Sequence, residues 1–222
     1  MLLVAWAGLF WYLWLTDRWS LFLADRVQWI VPVAAIAFTL GAIGRLVARG
    51  GDDEPEPFSS RRAWRFALGV APVLLILIVP LGTLSSFAAN RRTDFTSARF
   101  SVGAPLKQGQ PLTFQGLVGA GATDEGRAAL AQRQGEAVRL VGLTMSPRDD
   151  GFELTRFVVS CCVVDASVVQ VPVLGAPGGE EGAWVQVDGR LGIDAEGKPT
   201  IHADSVAPAD QPDPPYLSPT PD

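Results

Sequence analysis

The chain has 222 residues, 18 Lys and Arg against 23 Asp and Glu, one histidine and two cysteines, for a net charge of −5. A single histidine excludes by count a His-rich metal centre or an H-E-x-x-H zincin. The charge is unevenly spread: residues 1–92 hold 9 basic and 6 acidic side chains, and residues 93–222 hold 9 and 17. An acidic C-terminal half carries no basic face for phosphate, so nucleic acid is not an expected partner.

The N-terminal part carries three apolar segments. Leu2 to Leu15 contains Trp6, Trp11, Tyr12 and Trp14. Alone it would span only about 21 Å, short of the ~30 Å hydrocarbon core, so the helix is expected to continue through Trp19 to about Leu23. No basic residue precedes it and no A-x-A-type site ends it, which argues for a membrane helix over a signal peptide. A second helix is expected over about 27–48, with Arg45 able to snorkel, and a third over about 66–89, kinked by Pro72 and Pro80. The interposed loop, 49–65, holds Arg49, Arg61, Arg62 and Arg65, whereas the first loop holds Arg18 and Arg26. The positive-inside rule then makes the second loop cytoplasmic and the C-terminal domain extracytoplasmic. Arg91 and Arg92 pull the other way.

After residue 90 the pattern changes to short alternating runs between turn residues. Strands are expected at 112–118, 137–145, 152–160, 167–174, 183–193 and 199–206, with one helix over 123–134 capped by Thr123. Pro147 to Gly151, Gly175 to Gly179 and Asp194 to Gly197 mark turns. The closing hairpin carries Gly189, which would let a strand bend round a barrel corner. The fold class is therefore a membrane α-helical region of about three transmembrane helices, residues 1–90, followed by a small, mostly-β, OB-like barrel over 91–207. Residues 208–222, rich in proline and aspartate, are expected to form a disordered tail.

Chemistry concentrates at Cys161 and Cys162, the only cysteines. In a regular strand neighbouring side chains face opposite ways, so the two thiols converge only at a bulge or a strand end. A disulfide between them would be strained, because adjacent Cα atoms lie about 3.8 Å apart against the usual 4.4–6.8 Å. Three readings stay open. The thiols are small apolar fillers, or a soft metal site, or a reversible redox pair. The metal site would comprise Cys161, Cys162, Asp165 and His202 and would take zinc or copper. Asp165 can equally cap the turn between two strands, and His202 can be an ordinary strand residue.

The run Cys161-Cys162-x-x-Asp165-Ala166, after Phe157 to Ser160, resembles the YcgQ-like family of bacterial membrane proteins, described as permease subunits. Trp184 to Gly189, Pro199 to Val206 and Pro80 to Ser86 match its other segments. The resemblance implies a larger polytopic permease as partner and a role in transport. Some proteins of that family have a histidine-rich cytoplasmic loop; the loop here, Arg49 to Arg65, has no histidine and is acidic instead, so the resemblance does not carry metal handling over to it.

The sequence thus reads as a multi-pass cell-membrane protein and a non-enzymatic accessory subunit of a permease complex, with no catalytic residues assigned. The alternatives are a membrane-tethered thiol redox protein and an interaction module with structural cysteines.

Overall fold

The computed structural model describes residues 2–48, 60–78 and 109–218, in two compact units, Met1–Thr83 and Leu84–Asp222. In the first unit, helix α1 is Leu2–Leu15, α2 is Ile30–Ala48 and α3 is Ser60–Ile78. The first helix does not run on to Leu23. Asp17 takes the left-handed conformation (φ 53°), which breaks the hydrogen-bond ladder, and two 3-10 turns, Arg18–Leu21 and Asp25–Val27, lead into α2. Leu9 and Leu13 of α1, Trp19, Val31 of α2 and Val73 of α3 form the buried centre of this unit. Two of the indoles of α1 are satisfied in the way apolar surroundings require: Trp6 Nε1 donates to the Gly69 carbonyl and Trp11 Nε1 to Thr39 Oγ1, each at 3.2 Å.

The outward faces of these helices are apolar as well. Ile30, Val33, Ile36, Leu40, Ile43, Leu46 and Val47 of α2 are exposed, as are Leu68, Leu74, Leu75, Leu77 and Ile78 of α3. Asp25–Ala48 is the one described stretch long and apolar enough to cross a membrane, a property that a signal sequence near an N-terminus shares. Leu2–Leu15 and Ala63–Ile78 are apolar but shorter. Residues 79–89 of the expected third helix, Arg91, Arg92 and loop residues 49–59 lie outside the described residues.

The second unit begins with α4, Phe114–Gly121, and α5, Asp124–Gln132. A strand was expected over 112–118; the chain is helical there instead. Thr113 accepts the Gly116 N–H and caps the helix, and Phe114, Leu117 and Ala120 gather at three-residue spacing on one buried side, joined by Leu112 just before the cap. Thr123 caps α5 in the same way through Gly126.

Five strands follow: β1 (Ala137–Arg148), β2 (Gly151–Val158), β3 (Ser167–Leu174), β4 (Trp184–Ile193) and β5 (Pro199–Pro208). Every strand pairs on both sides, so the sheet closes on itself in the order β1-β2-β3-β5-β4, with β3 and β5 parallel and the other pairs antiparallel. Leu140, Leu154, Val171, Val173, Val187, Leu191 and Ile201 fill the interior, and Leu117 and Leu130 of the two helices join them. Each such side chain taken from water contributes about 1.5–3 kcal/mol. Gly189 sits at a register shift between β4 and β5, where a Cβ would stand 2.3 Å from the His202 carbonyl oxygen.

The C-terminal tail is packed where the sequence suggested disorder. Tyr216 is buried, Leu217 donates to the Phe157 carbonyl at 2.8 Å, and Val159 donates back to Leu217 at 3.0 Å. Proline density suppresses regular structure, but an aromatic followed by leucine still supplies one buried side chain and one strand-like pairing. Residues 219–222 lie outside the described residues.

Candidate functional site

Strand β2 stops at Val158, and the connection to β3 carries both cysteines. A 3-10 turn, Val163–Asp165, follows Cys162, closed by the Asp165 N–H donating to the Cys162 carbonyl at 2.9 Å. The Asp165 carboxylate folds back over the turn. It accepts the Ser160 N–H at 2.9 Å on one oxygen and the Cys161 N–H at 2.7 Å on the other. Those amides come after the last paired residue of β2, so the carboxylate takes over the role that a neighbouring strand would play.

Because the pair lies beyond the strand, the alternation of a pleat does not separate the thiols. Cys161 Sγ and Cys162 Sγ are 3.6 Å apart, with Cys161 exposed and Cys162 half-buried, and both are free. The Cys161 thiol is pushed up to about 11, first by its hydrogen bond to Asp165 and then by the one to Cys162. For Asp165, burial opposes ionisation. The Cys161 thiol and the Ser160, Cys161 and Cys162 amides outweigh it and hold the carboxyl below its ordinary range. The turn therefore rests as an ionised carboxylate beside a protonated thiol.

Val164, at the tip, is 81% exposed. Sequence reasoning passed over it; the signal was an apolar residue between a cysteine pair and a turn-capping aspartate. Arg156 was also undervalued. It is the one basic residue of β2, and it is buried, with its Nη1 donating to the Val141 carbonyl at 3.1 Å.

Residues 129–219 match the DUF1980 C-terminal domain. The match starts inside α5, takes in all five strands and the cysteine turn, and includes the packed tail residues Tyr216 and Leu217. This match is consistent, at a coarse level, with the YcgQ-like resemblance. A comparison with curated proteins gives no match.

The four proposed metal ligands do not assemble in this domain. His202 lies exposed on β5, opposite Leu174 at the end of β3, whereas the cysteine turn precedes Ser167 at its start. Eight strand residues separate the two by about 23 Å at ~3.3 Å per residue. Asp165 faces the thiols, but both of its oxygens hold backbone amides. Among the described residues no group of three or more His, Cys, Asp or Glu side chains could hold a metal ion. What the turn retains is two adjacent thiols, a fixed carboxylate and an exposed apolar tip.

Proposed function

We propose that this protein is a membrane-anchored accessory subunit of a permease complex, whose C-terminal domain meets its partner through the Cys161–Asp165 turn. The observation that carries the reading is the apolar exterior of α1, α2 and α3, which is suited to lipid or to the helices of a larger polytopic subunit. On this reading all three helices are transmembrane, and the β domain lies outside the cytoplasm. Beyond the arginines at the start of α3 and Arg45 near the end of α2, few polar side chains lie in these helices, which suits an anchor better than a pathway.

The strand order 1-2-3-5-4, with a parallel β3–β5 contact, supports reading the β domain as an OB-like barrel. Such barrels often bind through loops at one end, and the acidic charge of this half favours a protein partner over nucleic acid. Val164 offers an apolar contact on a turn that Asp165 holds rigid. The deciding experiment is purification of the tagged chain from its own membranes in mild detergent. A polytopic transport protein should co-purify in fixed ratio and be lost with Val164→Glu. A monodisperse chain with no companion would reject the assignment.

A further inference from the structure

Nothing in the accessory-subunit reading uses the chemistry of the two thiols, and their geometry is that of a reactive pair. Cys161 Sγ and Cys162 Sγ are in contact at 3.6 Å. A disulfide bond is about 2.05 Å long, so closure asks each sulfur to move by under about 1 Å. The side chains sit in the connection between β2 and β3, and no ladder hydrogen bond has to break for them to rotate. The pair is reachable from solvent, with Cys161 exposed.

We propose that Cys161 and Cys162 form a thiol–disulfide exchange site that closes to a vicinal disulfide by reducing an external disulfide. Cys162 is the attacking residue. As a thiolate it bonds to one sulfur of the external disulfide, whose S–S bond breaks; the departing thiolate takes up a proton equivalent to the one Cys162 released. Cys161 then releases its proton to water. Its sulfur bonds to Cys162 Sγ, the mixed disulfide breaks, and the second external thiolate leaves and takes that proton. Two protein thiols are oxidised, one disulfide is reduced to two thiols, and no net proton is gained or lost.

The order of attack follows from the placing of Asp165, whose carboxylate accepts the Cys161 N–H at 2.7 Å and so sets a negative charge beside that residue. That charge disfavours a second one on the Cys161 sulfur, and a thiol pushed up to about 11 presents little thiolate at neutral pH. The greater intrinsic nucleophilicity of a more basic sulfur recovers roughly half of that loss on a logarithmic scale. The closed form is readily reversed, because adjacent Cα atoms about 3.8 Å apart lie below the relaxed disulfide range. This makes the site a switch between two states. The inference stands apart from the permease reading, since the chemistry can be tested on the purified chain whether or not a partner is found.

The test uses the full chain in detergent, equilibrated with glutathione and glutathione disulfide, then alkylated and weighed intact. Under oxidising ratios the protein should lose both alkylatable thiols, fall in mass by two hydrogens and retain no glutathione, and excess glutathione should restore it. Cys161→Ser should trap one glutathione at Cys162, and Cys162→Ser should acquire it at Cys161 about tenfold more slowly. Two thiols that stay alkylatable in the wild-type chain, or a stable glutathione adduct on it, would overturn the closure. Equal or inverted rates in the two single variants would overturn the assigned order of attack.

Discussion

Arg156 donates from Nη2 to the Pro215 carbonyl at 3.2 Å, across 59 residues of sequence, and so ties the end of β2 to the C-terminal tail. The contact fills a gap in the sheet. β1 pairs with β2 from Leu143 onward and with β4 up to that residue, so β2 loses its β1 partner beyond Thr155. The guanidinium bridges the opening, reaching the Val141 carbonyl and lying 5.2 Å from the Trp184 ring centre, while Leu217 pairs with Phe157 and Val159 just beyond. Burial draws the Arg156 pKa down to about 10, and Nε is left without a partner.

Removing this arginine should loosen the tail before the sheet. Arg156→Ala leaves a void and two unpaired carbonyls, at a cost of about 2–4 kcal/mol. Arg156→Met keeps most of the volume and removes a buried charge, so it should cost less than about 1.5 kcal/mol. Denaturant unfolding of the detergent-solubilised chain gives both values. Hydrogen exchange at the Leu217 amide should accelerate in Arg156→Ala and remain slow at Val171; equal acceleration at both would show that the arginine supports the whole domain.

The Asp165 turn should have two pH limits. A carboxyl held below its ordinary range stabilises the fold above the unfolded value, and that contribution is lost as pH falls through the folded one. The Cys161 thiol is shifted the opposite way. Its contribution is complete below the unfolded thiol value and is lost as pH rises through about 11. Exchange of the Ser160 and Cys161 amides should therefore be slowest, relative to the intrinsic rate, across the neutral range. Asp165→Ala should abolish this protection at every pH, whereas Asp165→Asn, which keeps one acceptor oxygen, should retain part of it.

Gly189 tests the closure of the sheet. A side chain there would meet the His202 backbone oxygen at 2.3 Å and Ile201 Cγ2 at 2.9 Å, and backbone cannot swing aside as a surface side chain can. Gly189→Ala should cost about 1–3 kcal/mol. Gly179, with nothing within 4 Å of a built Cβ and no positive φ, is the control, and Gly179→Ala should lie within about 0.5 kcal/mol of wild type.

Much of the β domain was readable from residue order. Alternation in Val138 to Leu143 and Trp184 to Leu191, with turns at Pro147 to Gly151 and Asp194 to Gly197, located the strands because one face of each is buried and turn chemistry separates them. The need for a glycine at 189 was visible for the same reason. The run from Leu112 to Val118 misled because Leu, Thr, Phe and Val suit a strand by composition, while the Thr113 cap and the spacing of Phe114 and Leu117 decide for a helix. At the site, Asp165 as a turn cap was legible from its distance to the strand ends. His202 was not, because only strand register, with Leu174 as its β3 partner, shows it at the wrong end of β3. The packing of Tyr216 and Leu217 could not be seen either, since it depends on the gap between β1 and β2, a property of the closed sheet and not of the tail.

The two cysteines also report which side of the membrane the domain occupies. Cys161 is exposed, and no other residue in the chain can react with a thiol reagent except its neighbour Cys162. If the domain lies outside the cytoplasm, an impermeant maleimide should label intact cells after mild reduction, and Cys161→Ser with Cys162→Ser should abolish the signal. Labelling before reduction should be weaker in an oxidising compartment, because a vicinal disulfide hides both thiols. Labelling that needs lysis would place the domain in the cytoplasm. A second reporter separates that outcome from thiols masked by a partner. Val164→Cys, in a chain lacking Cys161 and Cys162, puts a thiol at the most exposed apolar position of the turn, and it should react in intact cells only for an external domain. If Val164→Cys is labelled while the native pair is not, the domain is external and the pair is covered or closed; if neither is labelled until lysis, the arginine-rich loop has been assigned to the wrong side.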